Sequence, residues 1–160
     1  MTLAYVGIGS NLGEPAKQVE SAFEELGRIR QTSLAARSSL YRSQPVGYAD
    51  QPEFFNAVAA LETSLEPLEL LRELQAIEAR HGRRRSFANA PRTLDLDLLL
   101  HGQAVVRRPE LALPHPRMHQ RCFVLKPLLE IAPAVEIPGI GAAQARLDAC
   151  AGQSVEKIVG

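Results

Sequence analysis

The chain has 160 residues, of which 46% are hydrophobic and 22% charged, and its formal net charge is zero. This length and composition suit one globular domain over residues 1–160, and the neutral balance argues against a general nucleic-acid binder. No apolar run approaches the roughly 20 residues of a membrane span, and the N-terminal MTLAYVGIGS lacks the basic start of a signal peptide.

The first half of the chain predicts a strand over Leu3–Ile8, a turn, and a helix from Pro15 to Gly27 with an apolar face. The turn sequence GIGSNLG is close to the dinucleotide-binding pattern G-x-G-x-x-G. Its third glycine, Gly13, comes one residue late and no acidic partner for a ribose is evident, so we do not favour a dinucleotide site. Two more strands follow, over Ala36–Ser43 and Phe54–Thr63, joined by the turn-rich QPVGYADQP.

In the second half, a helix is predicted from Pro67 until Gly82 stops it, and the arginine-rich RRRSFANAP leads into PRTLDLDLLL. A short strand and a proline-bounded loop come next. A helix over Met118–Ile131, broken at Pro127, precedes a weakly patterned C-terminal region that we expect to hold one short helix and a tail. Cys122 and Cys150 are too few and too far apart for a disulfide framework or a CxxC metal site, which is typical of a cytoplasmic protein.

The order strand–helix–strand–strand–helix–strand is that of the ferredoxin-like split βαβ fold of the α+β class. In such a fold an antiparallel sheet carries helices on one face. We therefore expect the leucines at 94, 96, 98 and 100 to face the helices, and the opposite face to bear the active site.

Asp95 and Asp97 alternate with those leucines and lie on the opposite strand face, about 6.6–7 Å apart. Bare carboxylates so placed repel each other, and a divalent cation relieves the conflict. Mg²⁺ binds through one or two carboxylates together with phosphates and water. Arginine outnumbers lysine 15 to 3 and is concentrated on both sides of this strand, which favours a polyphosphate ligand. The alternative is a solvated strand face with no ligand.

Zinc is a weaker alternative. His115 and His119 have the spacing of zinc ligands on a helix, but His115 lies in a Pro-His-Pro segment and no third ligand of suitable type is evident. We expect His115 to contact phosphate or nucleotide and His119 to be exposed.

Several motifs together resemble the 6-hydroxymethyl-7,8-dihydropterin pyrophosphokinases of folate synthesis, over roughly Leu3–Ala132. They are AYVGIGSNLG, SSLYRSQPVG, DQPEFFNAVAALETSL, QAIEARHGR, PRTLDLDLLLHG and LPHPRMHQRCFVLKPLLEIAP, in this order and at this spacing. The resemblance implies a ferredoxin-like fold and the transfer of pyrophosphate from ATP to the pterin hydroxymethyl group, with release of AMP.

The resemblance also implies roles for individual residues. Asp95 and Asp97 would bind two Mg²⁺ ions that bridge the ATP phosphates, and Asp95 would also help to orient or deprotonate the attacking hydroxyl. The residues expected to be catalytic or to bind ATP are Arg83 and Arg92, and Gln75, Glu78, Arg85, Leu98, His115 and Arg121. Phe54 and Phe123 would sandwich the pterin, Asn56 would pair with its amide-like edge, and Ser43, Gln44 and Val46 would help. We expect a monomer that uses no nucleic acid or membrane.

The chain departs from the family pattern in its loops. Asn89 lies where a pterin-capping Trp is usual, Glu110 and Ala112 replace an Arg and a Thr before the Pro-His, and Pro116 replaces an aromatic residue. These changes leave open a divergent paralogue acting on another pterin, or a pterin- or nucleotide-binding module without turnover. RNA binding through the sheet is disfavoured by the 5% aromatic content and zero net charge.

Overall fold

The computed structural model describes residues 1–11, 14–43, 54–81, 94–150 and 152–158. Its first elements are β1 (Thr2–Ser10), α1 (Pro15–Gly27), β2 (Thr32–Arg37), β3 (Leu40–Ser43), β4 (Phe54–Thr63), α2 (Pro67–Arg80) and β5 (Asp95–His101). The remaining elements are β6 (Val106–Arg107), β7 (Ala112–Leu113), a 3-10 helix (Met118–Gln120), α3 (Cys122–Ile131), β8 (Glu136–Ile137), β9 (Gly141–Ala142), a second 3-10 helix (Ala143–Cys150) and β10 (Val155–Ile158).

The main sheet is antiparallel, in the order β10-β3-β4-β1-β5, and β2 also pairs with β4. The two central strands, β1 and β4, are almost wholly buried, as their apolar sequences predict. Proline occupies the first turn of both α1 and α2, where its missing N–H costs no hydrogen bond. In α2 a reciprocal capping box between Glu66 and Glu69 adds a bond of 3.0 Å from the Glu66 N–H to Glu69 Oε1. These features confirm the predicted starts of both helices.

Helices cover both faces of the sheet. α1 and α2 pack on one face, in a core that includes Val6, Leu26, Leu61, Leu74 and Leu98. On the other face, α3 buries Val124, Leu125 and Leu128 against a second cluster that includes Tyr5, Val58 and Leu100. The prediction of an antiparallel sheet with helices is confirmed. The prediction that the helices lie on one face only is wrong, because α3 covers part of the face that was expected to be open.

A β-bulge in β5 changes the predicted side-chain alternation. Tyr5 pairs with Leu100, but the next residue of β1, Val6, pairs with Leu98, so Leu99 is the extra residue. Leu99 and Leu100 consequently both lie in the cluster beneath α3. The expectation that Leu100 shares a face with Leu98 is therefore wrong.

Two other predicted elements are divided differently. The strand predicted over Ala36–Ser43 is interrupted at Ser38 and forms two strands, β2 and β3, on the same side of β4. The Ser38 hydroxyl accepts a hydrogen bond from the Val58 N–H at 2.9 Å and donates one to the Ser39 carbonyl at 2.8 Å. The helix over Met118–Ile131 is broken at Arg121 and not at Pro127, since α3 continues through Pro127, which is buried in the helix.

The C-terminal region is more ordered than predicted: the second 3-10 helix packs on α3, and β10 adds an edge strand beside β3. A disulfide joins Cys122 to Cys150, with Cα atoms 5.6 Å apart despite a sequence separation of 28 residues. The sequence interpretation, which considered these cysteines too few and too far apart for a disulfide framework, did not predict this bond. Among the described residues, no helix is long and apolar enough to cross a membrane.

Candidate active site

The polar residues of interest project from the same sheet face as α3, at the end of the sheet that α3 does not cover. The register places Gly9 of β1 between Asn56 of β4 and Asp95 of β5. It likewise places Gly7 between Val58 and Asp97. Val58 packs beneath α3, so side chains of the same parity on these strands face that side. The fold thus brings the amide of Asn56 and both carboxylates to one surface.

Glycine in the intervening strand leaves the floor of this surface open. A methyl group at Gly9 would lie 3.5 Å from Asn56 Oδ1, and one at Gly7 would lie 3.5 Å from Leu99 Cδ2. Neither glycine has the positive φ that would by itself require glycine. Glycine at these two positions therefore leaves space above the strand. The space at Gly9 is bordered by Asn56, and the space at Gly7 is filled by the Leu99 side chain.

Asp95 and Asp97 are both half-buried on β5. The peptide between them is fixed from the other side: the Leu96 N–H donates to Glu78 Oε2 at 2.8 Å. Glu78 is only 4% exposed on α2, so it supports the strand that carries the aspartates, whereas Gln75 is exposed. A hydrogen bond to a carboxylate is stronger than a neutral one, and this one holds the two aspartates in register.

The same bond indicates how the edge of β5 is oriented. The Leu96 N–H points away from β1, and the main chain of Leu98, two residues on, lies on the same edge of the sheet. The Leu98 side chain is 3% exposed and packs among the residues beneath α1 and α2. The resemblance implies that Leu98 binds ATP; in the fold its side chain is part of the core, and only its peptide groups lie at the edge of the sheet.

Asn56 is oriented by its neighbours. Its amide nitrogen donates to Ser43 Oγ at 2.8 Å and to the Phe54 carbonyl at 3.4 Å, and the residue is 4% exposed. With its N–H groups engaged, Oδ1 faces the space above Gly9. The arrangement presents an acceptor to a ligand that carries N–H donors. Phe54 is half-buried on the same strand face, two residues away.

The start of α3 contributes an aromatic ring and a cation. Arg121 lies at the N-cap position and Phe123 is the second helical residue, both half-buried, with the guanidinium carbon 5.5 Å from the ring centroid. The ring therefore combines an aromatic face with a nearby positive charge. This is the pairing expected where a heteroaromatic group and phosphate bind side by side.

His115 is held in one tautomer near these groups. Its Nδ1 accepts the Arg117 N–H at 3.2 Å, so the ring proton is on Nε2. Burial, together with the smaller effect of the positive charges of Arg121 and Arg117, lowers the pKa of His115 to about 4. At neutral pH the ring is uncharged and its Nε2–H is a hydrogen-bond donor.

A carboxylate that the sequence interpretation did not single out ties α3 to β3. Glu130 accepts hydrogen bonds from the Tyr41 hydroxyl at 2.7 Å, the Ser39 hydroxyl at 2.8 Å and the Ser39 N–H at 3.0 Å. Burial alone would raise the pKa of Glu130, but these bonds outweigh it and lower the pKa. Since Tyr41 pairs with Asn56, this contact sets α3 relative to the strand that carries the amide. No sequence motif indicates such a link.

The remaining expected residues are Arg83, Arg85, Arg92, Gln44 and Val46, which lie outside the described residues. Within the described ranges no group of three or more His, Cys, Asp and Glu side chains could hold a metal ion. Two neighbouring carboxylates fit Mg²⁺, because Mg²⁺ needs few protein ligands when phosphate oxygens complete its shell. The aspartate pair is the part of the described chain that would bind it.

A family model described as 7,8-dihydro-6-hydroxymethylpterin-pyrophosphokinase matches residues 5–133. A 2-amino-4-hydroxy-6-hydroxymethyldihydropteridine pyrophosphokinase from Pseudomonas aeruginosa is 47% identical over 156 residues, which are 98% of this chain and 96% of that protein. The enzyme of the same name from Haemophilus influenzae is 46% identical over 138 residues, 86% of each chain.

The fold has relatives among solved structures as well. A crystal structure of wild-type Plasmodium falciparum HPPK-DHPS with pteroate superposes with a TM-score of 0.73 at 12% sequence identity. The match covers 92% of this chain and 42% of that longer one. At this identity the likeness concerns the fold alone.

Proposed function

Because this chain belongs to the 7,8-dihydro-6-hydroxymethylpterin-pyrophosphokinase family, we propose that it transfers pyrophosphate from ATP to 6-hydroxymethyl-7,8-dihydropterin through the surface formed by β4, β1 and β5. The pterin hydroxyl oxygen attacks the β-phosphorus of ATP. The bond between that phosphorus and the oxygen bridging to the α-phosphate breaks, AMP leaves, and the hydroxyl proton passes to Asp95 or to water. The product is the pterin diphosphate, an intermediate of folate biosynthesis.

The observation that carries this proposal is the spacing of Asn56 from the aspartates. One glycine-bearing strand separates them, so the amide and Asp95 are two strand spacings apart, about 9–10 Å. A bicyclic pterin with its hydroxymethyl arm is about that long. With its amide edge at Asn56, its reactive hydroxyl would extend across Gly9 toward the carboxylates.

Asn56 and the aromatic rings would provide recognition of the pterin. The ring system is flat and carries N–H donors, which Asn56 Oδ1 can accept because its own N–H groups are already engaged. Phe54 and Phe123 would stack on the two faces of the pterin. Burial of a matched amide against a heteroaromatic edge discriminates strongly against ligands that lack those donors.

Asp95 and Asp97 would hold Mg²⁺, which would supply charge neutralisation of the triphosphate and polarisation of the phosphorus under attack. Glu78 keeps the carboxylates in place through the Leu96 peptide. Arg121 would approach the triphosphate, and His115 would donate its Nε2–H to a phosphate oxygen. Arg83, Arg85 and Arg92 would supply further positive charge. Phosphoryl transfer depends on such positioning and charge stabilisation more than on covalent chemistry.

The adenine would lie along the edge of β5 that faces away from β1, with the Leu98 peptide groups as its hydrogen-bond partners. An exposed strand edge offers N–H and C=O groups in fixed positions. Gln75 is exposed on α2, whereas Glu78 is engaged beneath the strand, and we therefore assign only Gln75 to the nucleotide side.

We also assign the described core to the ferredoxin-like class. The order β5-β1-β4, with β3 and β2 both on the far side of β4, corresponds to the strand order of a βαββαβ fold in which the second strand is interrupted. We propose that the chain acts as a monomer.

The test is product formation. Purified protein is mixed with ATP, MgCl₂ and 6-hydroxymethyl-7,8-dihydropterin, and AMP and the pterin diphosphate are separated by chromatography. We expect one AMP per pterin diphosphate, no reaction without Mg²⁺, and a large loss with Asn56→Ala. Ser33→Ala, on the exposed surface of β2, is the matched control and should behave like the wild type. Binding of pterin without AMP release would instead favour a binding module.

A further inference from the structure

The start of α3 receives its cap from a distant part of the chain. Arg121 occupies the N-cap position, and its side chain makes no capping hydrogen bond. Helix N-termini leave several N–H groups without intrahelical partners, which are usually satisfied by a Ser, Thr, Asp or Asn at the N-cap. A residue more than thirty positions later supplies the missing acceptor here.

That residue is Gln153, in the segment between the second 3-10 helix and β10. Its Oε1 accepts the Cys122 N–H at 3.0 Å, and its Nε2 donates to the Gln120 carbonyl at 2.8 Å. These are peptide groups on the two sides of Arg121. One side chain thus clamps the main chain before and after the arginine.

Gln153 is itself fixed to the body of the protein. Its N–H donates to the Cys150 carbonyl at 3.0 Å, and Cys150 is joined to Cys122 by the disulfide. On the other side, Lys126 Nζ of α3 donates to the Val155 carbonyl at 3.1 Å. The clamp therefore has anchors on both sides of Gln153.

We propose that Gln153 is a positioning residue, which sets the main chain at Arg121 and so aims the Arg121 guanidinium and the Phe123 ring at the bound substrates. The proposal rests on the proposed function, since that function assigns phosphate to Arg121 and pterin to Phe123. Capping by a remote glutamine leaves the N-cap position available to an arginine. A local Ser or Asp cap would occupy the place of the cation.

The test compares Gln153→Met with Gln144→Met. Methionine keeps the length of the side chain and loses both hydrogen bonds, and Gln144 is an exposed residue of the neighbouring 3-10 helix. Three quantities are measured for each variant: the KM for ATP and for pterin, the melting temperature, and hydrogen exchange at the Cys122 amide.

We expect Gln153→Met to raise both KM values about fivefold, because only part of the population then holds the main chain at Arg121 in the arrangement that binds substrate. Exchange at the Cys122 amide should accelerate by a similar factor, and the melting temperature should fall by only a few degrees relative to Gln144→Met, as the loss of one helix cap implies. Unchanged KM values, with or without faster exchange, would overturn the positioning role. If the wild type itself neither binds pterin nor forms AMP, the proposed function fails and this inference with it, which separates the two failures.

Discussion

Replacing Gly9 by alanine should stabilise the protein and impair its activity at the same time. Glycine in a strand interior costs about 0.5–1 kcal/mol relative to alanine because of the freedom it loses on folding. The new methyl would meet Asn56 Oδ1 at 3.5 Å and the Phe55 carbonyl at 4.0 Å, which are ordinary contact distances. The free energy of unfolding should therefore rise by up to about 1 kcal/mol.

Activity should fall because the methyl occupies the floor on which we place the pterin. Forcing an added methylene into a fitted site costs about 1–3 kcal/mol, so the kcat/KM for pterin should drop roughly 5- to 150-fold, with a smaller effect on the KM for ATP. Gly7→Ala is the matched control. Its methyl would contact the Leu99 side chain at 3.5–3.7 Å, so it gains the same strand propensity away from Asn56.

Urea unfolding measures the free energy of unfolding of both variants, and steady-state kinetics measures their kcat/KM for pterin and their KM for ATP. A Gly9→Ala protein with wild-type kcat/KM for pterin would refute the assignment of this floor to the substrate. Equal activity losses in Gly7→Ala and Gly9→Ala would show that the strand, and not the space above Gly9, is responsible.

Three further outcomes follow from the contacts described above. Asp97→Asn should abolish AMP formation while circular dichroism stays native, and a near wild-type rate at saturating Mg²⁺ would remove the carboxylate from the mechanism. Glu78→Ala should lower the free energy of unfolding by about 2–3 kcal/mol, since it strands the buried Leu96 N–H; urea titration measures this, and a loss under 0.5 kcal/mol would contradict the supporting role. Because the folded-state pKa of His115 lies near 4, below the ordinary value of 6.5, the wild type should lose up to about 2–3 kcal/mol of stability as pH falls from 6.5 to 4. In His115→Gln this part of the acid destabilisation should be absent, and parallel pH profiles of the two proteins would show the assigned pKa to be wrong.

The sequence predicts the aspartate pair well because its neighbours alternate strictly. Leu94, Leu96 and Leu98 are apolar where Asp95 and Asp97 are not, and this period fixes which face the carboxylates take. The alternation ends at Leu98–Leu100, where three leucines in a row fit either face. The bulge at Leu99 falls in that stretch, and no local pattern could have located it.

Long-range partners were beyond the reach of local patterns for a related reason. Cys122 and Cys150 are distant in sequence and become neighbours only through the packing of the C-terminal segment on α3. Glu130 and Gln153 are unremarkable exposed residues until the fold supplies the groups they bind. The break before α3 was misplaced because proline is a strong local signal, whereas burial of Pro127 in the packed helix outweighed its cost.

The extra residue of β5, Leu99, divides the strand into two parts whose side chains have different neighbours. Before Leu99, Asp95 and Asp97 lie on the face where we place the substrates. After it, Leu100 packs beneath α3, and His101 Nε2 lies 2.8 Å from the Leu65 carbonyl oxygen. Without the bulge, Leu100 would follow the parity of Leu98 and leave the cluster beneath α3. The single inserted leucine therefore shifts the side-chain alternation of β5 by one residue. Residues before Leu99 can consequently change without moving the residues after it out of the core.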